Sequence, residues 1–292
     1  MNVLRICYIC SIQKQTVMNH SFPFTLVISI VVILLIVGFF YYRSKNAEKK
    51  AAVENVEDTT KDLFRGEVDS FSLKDGGTLD IFSIKHGTLA MRVAGKWIYV
   101  DPVTSGALPE TDFSPMPKAD YILFTHAHYD HFDTLAVSQL KKDETRVIAN
   151  AEVVETLGWG EALRNGESTT TAEGWTIEAV PAYNNSPEKL DFHPQGRDNG
   201  YVITVDGFRT YVSGDTEVIP ELADRKDIDV AFLPCNLPYT MSPEQCAEAA
   251  RTFMPKVLFP YHYGGTDTPT DLQKLVSLLD GSGIEVRIRQ YE

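Results

Sequence analysis

Apolar and polar positions divide the chain into two regimes. From Phe22 to Tyr42 runs FPFTLVISIVVILLIVGFFYY, about twenty apolar residues without a charge, which predicts a transmembrane helix with aromatic residues at both ends. Residues 1–21 read as an N-terminal extension, with Met18 as an alternative start, and residues 43–66 as a polar juxtamembrane stalk. Arg43, Lys45, Lys49 and Lys50 follow the span, so the positive-inside rule predicts a single-pass protein with its C-terminal domain on the cytoplasmic side.

From residue 67 to 292 the pattern becomes that of one folded domain. Leu79–Ile84 alternates as a strand, and Leu89–Val93, a turn at Ala94-Gly95-Lys96 and Trp97–Val100 form a hairpin ending at Asp101-Pro102. Tyr121–Phe124 and Arg146–Ala149 read as short buried strands, with helices over Thr134–Lys141 and Ala151–Leu157. Trp175–Val180 is a strand, and Tyr201–Val205 with Thr210–Ser213 makes a second hairpin around Asp206-Gly207. Asp229–Pro234, Val257–Tyr261 and Glu285–Arg289 are further strands. Capping boxes at Ser242-Pro243-Glu244-Gln245 and Thr270-Asp271-Leu272-Gln273 open helices that run to Phe253 and Leu279. Hairpins first and strand–helix alternation afterwards, in each half, predict an α/β domain with two sheets inside and helices outside.

Charge narrows the function classes. The net charge is −13, but residues 1–50 sum to +5, which leaves −18 on the remaining 242 residues. Such a surface repels polyphosphate backbones, so nucleic acid is not expected as a partner. Cys7 and Cys10 form a C-x-x-C without a strand–helix context, while Cys235 and Cys246 are expected as free buried thiols.

The densest chemistry follows the strand Tyr121–Phe124, where His126, His128, Asp130 and His131 fall within six residues. Neutral imidazoles suit zinc and similar ions, and a carboxylate adds charge and a harder donor. Side chains two apart on extended backbone point the same way, so His126 and His128 can grip one ion while Asp130 and His131 turn toward another. His193, Asp215 and His262 also follow apolar strands, whose ends converge in a layered sheet. His86 fits either a supporting role behind the ligands or a partly buried strand position. Asp101 fits either a residue orienting a ligand histidine or a turn cap. Glu217 reads as a solvated carboxylate, and Tyr239 and Tyr263 as possible donors to a substrate.

His126-Ala127-His128-Tyr129-Asp130-His131 resembles the HxHxDH signature of the metallo-β-lactamase fold. Ser213-Gly214-Asp215-Thr216 and Pro260-Tyr261-His262-Tyr263-Gly264 are similar to that superfamily's bridging-aspartate and final-histidine motifs. The likeness covers roughly residues 70–290. Lys85-His86-Gly87, Tyr99-Val100-Asp101-Pro102, Val180-Pro181-Ala182-Tyr183-Asn184 and Phe192-His193-Pro194 resemble the branch that includes ascorbate-6-phosphate lactonase and N-acylphosphatidylethanolamine phospholipase D.

The resemblance implies an αββα sandwich and two divalent ions, zinc first, with manganese or iron accommodated by the same donors. It assigns one ion to His126, His128 and a middle histidine, and the other to Asp130, His131 and His262, with Asp215 bridging. Many members place the middle histidine directly after the strand, where this chain has Tyr183-Asn184; His193, nine residues past Asn184, is the candidate in its place. The expected function is hydrolysis of a small or amphipathic ester, lactone or phosphodiester by a hydroxide bridged by the two ions, with Asp130 as the catalytic base. The substrate would be a small or lipid-like molecule. The alternatives are a membrane-tethered metal-binding or sensory module and a nuclease of the same superfamily. A β-lactamase proper is disfavoured, since two-zinc enzymes of that kind typically carry cysteine where this chain has Asp215.

Overall fold

A computed structural model describes residues 34–47, 64, 68–107, 110–264 and 269–290. The chain divides into two compact units, residues 1–58 and 59–292. In the first, residues 34–47 belong to helix α1, which carries Arg43 and Lys45. No helix among the described residues is long and apolar enough to cross a membrane. This corrects the expected transmembrane helix, and with it the single-pass localisation and the cytoplasmic orientation derived from it. Residues 22–33 of the expected span, and the Cys7–Cys10 pair, lie outside the described residues.

The second unit holds two seven-stranded sheets. The first runs β1 (Val68–Ser72), β2 (Thr78–Lys85), β3 (Thr88–Val93), β4 (Lys96–Val100), β5 (Tyr121–Phe124), β6 (Arg146–Ala149) and β7 (Glu161–Ala162) in sequence order. The second is β8 (Ser168–Thr170), β9 (Thr176–Ala182), β10 (Asp198–Val205), β11 (Phe208–Val212), β12 (Val230–Pro234), β13 (Val257–Tyr261) and β14 (Glu285–Val286). In each sheet the first four strands pair antiparallel and the rest parallel. Helices α2 (Thr134–Leu140) and α3 (Ala151–Leu157) cover the first sheet; α4 (Pro243–Phe253) and α5 (Leu272–Leu279) cover the second.

The period-two alternation of the strands builds this sandwich. Tyr121 and Leu123 of β5 join Val230 and Phe232 of β12 and Phe259 of β13 in the core between the sheets. Ile122 and Phe124 point the other way, onto Ala136, Val137 and Leu140 of α2 and Val153 of α3. On the opposite side Ala231, Leu233 and Leu258 meet Ala247, Ala250 and Phe253 of α4 and Leu275 of α5. Each fully buried Leu, Ile or Phe contributes about 1.5–3 kcal/mol, and because both faces of the parallel strands are covered, their sequences run apolar throughout. Cys235 and Cys246 are buried free thiols in the α4 layer, as expected.

The Ser242 box forms as expected, with Gln245 N–H donating to Ser242 Oγ and Ser242 N–H to Gln245 Oε1. At α5 the cap is Asp271, which accepts from Lys274 N–H, rather than Thr270. The last strand stops at Val286, short of the expected Arg289, because Arg287 and Arg289 turn to Asp69 of β1 at 2.5–2.9 Å.

Candidate metal centre

The parallel strands deliver the candidate residues to one end of the sandwich. Asp101 follows β4, His126 follows β5, Asp215 follows β11, and His262 follows β13. Asp101 is fully buried, in left-handed backbone with φ 46°. Its Oδ1 accepts the Thr125 N–H at 2.7 Å, and its Oδ2 accepts the Thr125 hydroxyl at 2.6 Å while facing His131 Nδ1 at 2.8 Å. Asp101 thus holds the ring of His131, a candidate ligand, from its Nδ1 side. The loop then turns tightly, with the His131 and Phe132 amides donating to the His128 carbonyl.

Three overlapping groups of donors result. His126, His128 and His193 each present an atom within 4.8 Å of the others; so do His86, Asp130, His131 and His262, and so do His126, His131 and Asp215. His126 Nε2 lies 3.1 Å from His128 Nδ1. Asp215 sits between the groups: Oδ2 is 3.2 Å from both His193 Nε2 and His262 Nε2, and Oδ1 is 3.4 Å from His131 Nε2. The structure thus brings every expected ligand together, including His193, which reaches the cluster from a loop pinned by the Asn184 N–H on its carbonyl. His86 joins the Asp130 group, with Nε2 3.1 Å from Asp130 Oδ2 and its ring 3.8 Å from that of His262.

Local backbone is adapted to this crowding. His86 and His262 adopt φ 44° and 49°, a region rarely used by non-glycine residues except where the surroundings over-determine it. The His262 amide donates to the His86 carbonyl at 3.0 Å, which locks the two turns together. Between His86 and β3, Gly87 is required: a Cβ there would stand 2.7 Å from His131 Cε1.

Charge is redistributed within the cluster. Burial opposes ionisation of Asp215, but the His262 and His131 imidazoles outweigh it and hold the carboxyl well below its usual range. Burial likewise opposes ionisation of Asp130, and His131, His262 and His86 overcome it. His262 is raised to about 9 by Asp215 and Asp130 against its burial, whereas His86 and His128 are pushed down to about 4, by burial first and neighbouring imidazoles next. Divalent ions fit this donor set. Nε2 of His131, His193 and His262 and Oδ1 of Asp215 are buried without a hydrogen-bond partner. They lie within ion-pair reach of one another without being aimed for hydrogen bonding, and unpaired buried donors and acceptors otherwise cost about 1–3 kcal/mol each.

Behind these donors stand residues that motif reading passed over. Asn184 Nδ2 lies 3.2 Å from His193 Nδ1, and Asn236 Nδ2 lies 3.3 Å from His262 Nδ1. Arg197 Nη2 approaches His128 Nε2 at 3.4 Å while its guanidinium is held by Asp198. Glu217, expected in solvent, is fully buried. It accepts from Lys189 Nζ, from Ser186 through both N–H and hydroxyl, and from the Asn185 N–H, which fixes the loop that carries Asn184. Tyr239 lines the cavity, but Tyr263 does not serve as the expected donor, because its hydroxyl donates to the Arg289 carbonyl. The cavity over the cluster is about 610 Å³, walled by Ala107, Ala127, Tyr129, Phe192 and Tyr239 beside the candidate ligands.

Comparison with known proteins agrees with this geometry. A family model described as a beta-lactamase superfamily domain matches residues 96–263. A UPF0173 metal-dependent hydrolase of Anoxybacillus flavithermus is 32% identical over 216 residues, covering 70% of this chain and 94% of that protein. One from Thermococcus kodakarensis is 31% identical over 218 residues, with 70% and 94% coverage. Among solved structures, a protein of Parabacteroides distasonis assigned as a metal-dependent hydrolase is 48% identical, with TM-score 0.73, over 77% of this chain and 99% of that one. Igni18, a metallo hydrolase of Ignicoccus hospitalis, shares the fold at 24% identity and TM-score 0.60, over 76% of this chain and 95% of that one.

Proposed function

The chain belongs to the beta-lactamase superfamily of metal-dependent hydrolases, and on that premise we propose that it holds two divalent ions and hydrolyses an ester, lactone or phosphodiester bond. The observation that carries this reading is the three-histidine group and the Asp130 group, linked by the group of His126, His131 and Asp215, at the floor of a 610 Å³ cavity. One ion would be held by His126, His128 and His193 and the other by Asp130, His131 and His262, with Asp215 placed to serve both. Zinc is the first candidate for such a mixed donor set.

When bound, the ions polarise a substrate oxygen and lower the pKa of water at the site. The chain's own residues do the rest. Asp101 fixes the His131 ring through Nδ1, and an outer partner of this kind raises ligand basicity and sets the tautomer. Asp130 is the base: it takes the proton of the attacking water and returns it to the leaving oxygen. His86 Nε2, at 3.1 Å, holds Asp130 Oδ2 in place meanwhile. The likeness to the lactonase and phospholipase D branch rests on the phrases quoted above alone. No G-x-S-x-G motif offers a serine nucleophile as a competing route.

The test is metal content and turnover together. Zinc-loaded protein should carry about two ions per chain and cleave at least one of a chromogenic ester, lactone or phosphodiester set. His126→Ala should abolish turnover, and turnover that survives this substitution would sink the mechanism.

A further inference from the structure

The cavity's lining restricts the substrate beyond the choice of bond. Among the described lining residues there is neither lysine nor arginine. The stretches that follow Ala107 and Gly264 in sequence, residues 108–109 and 265–268, contain no basic residue either. Neighbouring cations are turned to the protein itself. Arg197 is held in a fork by Asp198 and donates to the Phe192 carbonyl while its Nη2 stands 3.4 Å from His128 Nε2, Lys85 Nζ donates to the carbonyls of Thr104 and Ala107, and Lys189 lies on Glu217. Away from the ligands the described walls carry Ala107, Ala127 and Phe192 beside Asn236, Tyr129 and Tyr239, with Phe192 and Tyr239 edge to face at 5.1 Å. Any anionic group on the substrate other than the reacting one would therefore lose its hydration with no lysine or arginine among the described lining residues to meet it.

We propose that the substrate is uncharged away from the bond that is cleaved: a carboxylic ester or lactone whose apolar substituent seats against Phe192 and Tyr239. This rests on the hydrolase reading and narrows it. Water adds to the carbonyl carbon as Asp130 takes one of its protons, the acyl–oxygen bond breaks, and Asp130 gives that proton to the departing alkoxide; the alcohol leaves, and the carboxylic acid releases its remaining proton to solvent as the carboxylate. The carboxylate product then has its charge at the floor of the cavity and its chain along the aromatic wall. A β-lactam antibiotic or a phosphorylated lactone carries an anion away from the reacting bond, for which the described wall offers tyrosine hydroxyls but no lysine or arginine.

Hexanoate and adipate separate these cases, since they match in chain length and differ by one carboxylate. Isothermal titration of the zinc-loaded full chain should show hexanoate binding roughly tenfold or more tightly than adipate, about 1.4 kcal/mol. Tyr239→Ala and Phe192→Ala should each weaken hexanoate several-fold with bound zinc unchanged, and Tyr239→Lys should raise adipate affinity. Adipate binding as tightly as hexanoate, or no millimolar binding of either acid, overturns the proposal. Kinetics with p-nitrophenyl hexanoate, the p-nitrophenyl monoester of adipic acid and bis-p-nitrophenyl phosphate keep the two readings apart. Turnover of both esters at equal efficiency, or faster turnover of the phosphodiester, overturns the apolar seat and leaves the hydrolase standing. A hexanoate preference without any turnover removes the hydrolase and leaves the seat.

Discussion

Gly87 carries as much of the site as any ligand, although it has no side chain. It stands where His131 needs room, with 2.7 Å from a would-be Cβ to the imidazole Cε1. Gly87→Ala should therefore displace His131 and lose the ion on the Asp130 side, while the trio of His126, His128 and His193 keeps its own. Metal analysis should find about one ion per chain in place of two; two ions retained would show that the ring has slack. Glu217 acts from further out. Its carboxyl is held down at about 2 from an ordinary 4.5, because Lys189 and Ser186 outweigh the effect of burial. A depressed carboxyl contributes stability that is complete above pH 4.5 and lost as pH falls toward 2. Chelator-treated Glu217→Gln should be less stable at neutral pH by about 1.5–3 kcal/mol and should show a flatter stability profile across that window in urea titrations. An unchanged profile would mean that the loop is held by other contacts.

At the scale of elements, the parallel strands act as pointers. β4, β5, β11 and β13 each end at a site residue, and β12 ends beside Asn236. Parallel pairing sends their C-terminal ends to one side, so donors more than a hundred residues apart meet there without long loops. Helix α4 begins just after the 236–240 turn that contacts the Asn184 loop, and its cap is the Ser242–Gln245 box. Ser242→Ala should cost about 0.5–2 kcal/mol of unfolding free energy in denaturant titrations, with the bound metal unchanged, because the cap stabilises the helix rather than the ligands. Loss of metal in that variant would show that the α4 start also fixes the Asn236 turn.

For the whole molecule, the donor cluster is a concentration of unpaired polarity that a bound ion relieves only in the folded state. Ligand-linked stabilisation at an ion concentration about a hundred times Kd is near 2.7 kcal/mol, which in a domain of this size corresponds to a Tm shift of roughly 5–10 °C. Chelation should lower Tm by that order, and readdition of zinc should restore it. A Tm indifferent to both would argue that the cluster closes on itself through His–Asp pairs. The −18 charge of residues 51–292 acts in the same direction, since two divalent ions offset part of it at the point where Asp130 and Asp215 are most crowded.

Local information determined much of this. The strands other than β1, β7 and β8, the helices α2 to α5, the Ser242 cap and the ligand-type residues at strand ends follow from periodicity and spacing. These depend on neighbours along the chain and are complete in any short window. The membrane span was a local inference too, and no helix among the described residues is long and apolar enough to bear it out; Arg43 and Lys45 share a helix with residues 34–42. What only the tertiary structure decided is how the ligands are held and what faces them. Asp101 has partners 24 and 30 positions away, Glu217 reaches back 28 to Lys189, and Asn236 meets His262 across 26. The aromatic wall of Phe192 and Tyr239 exists only once two distant loops lie side by side. Such pairings leave no period and no motif, because burial and hydrogen bonding between remote segments depend on how the chain packs.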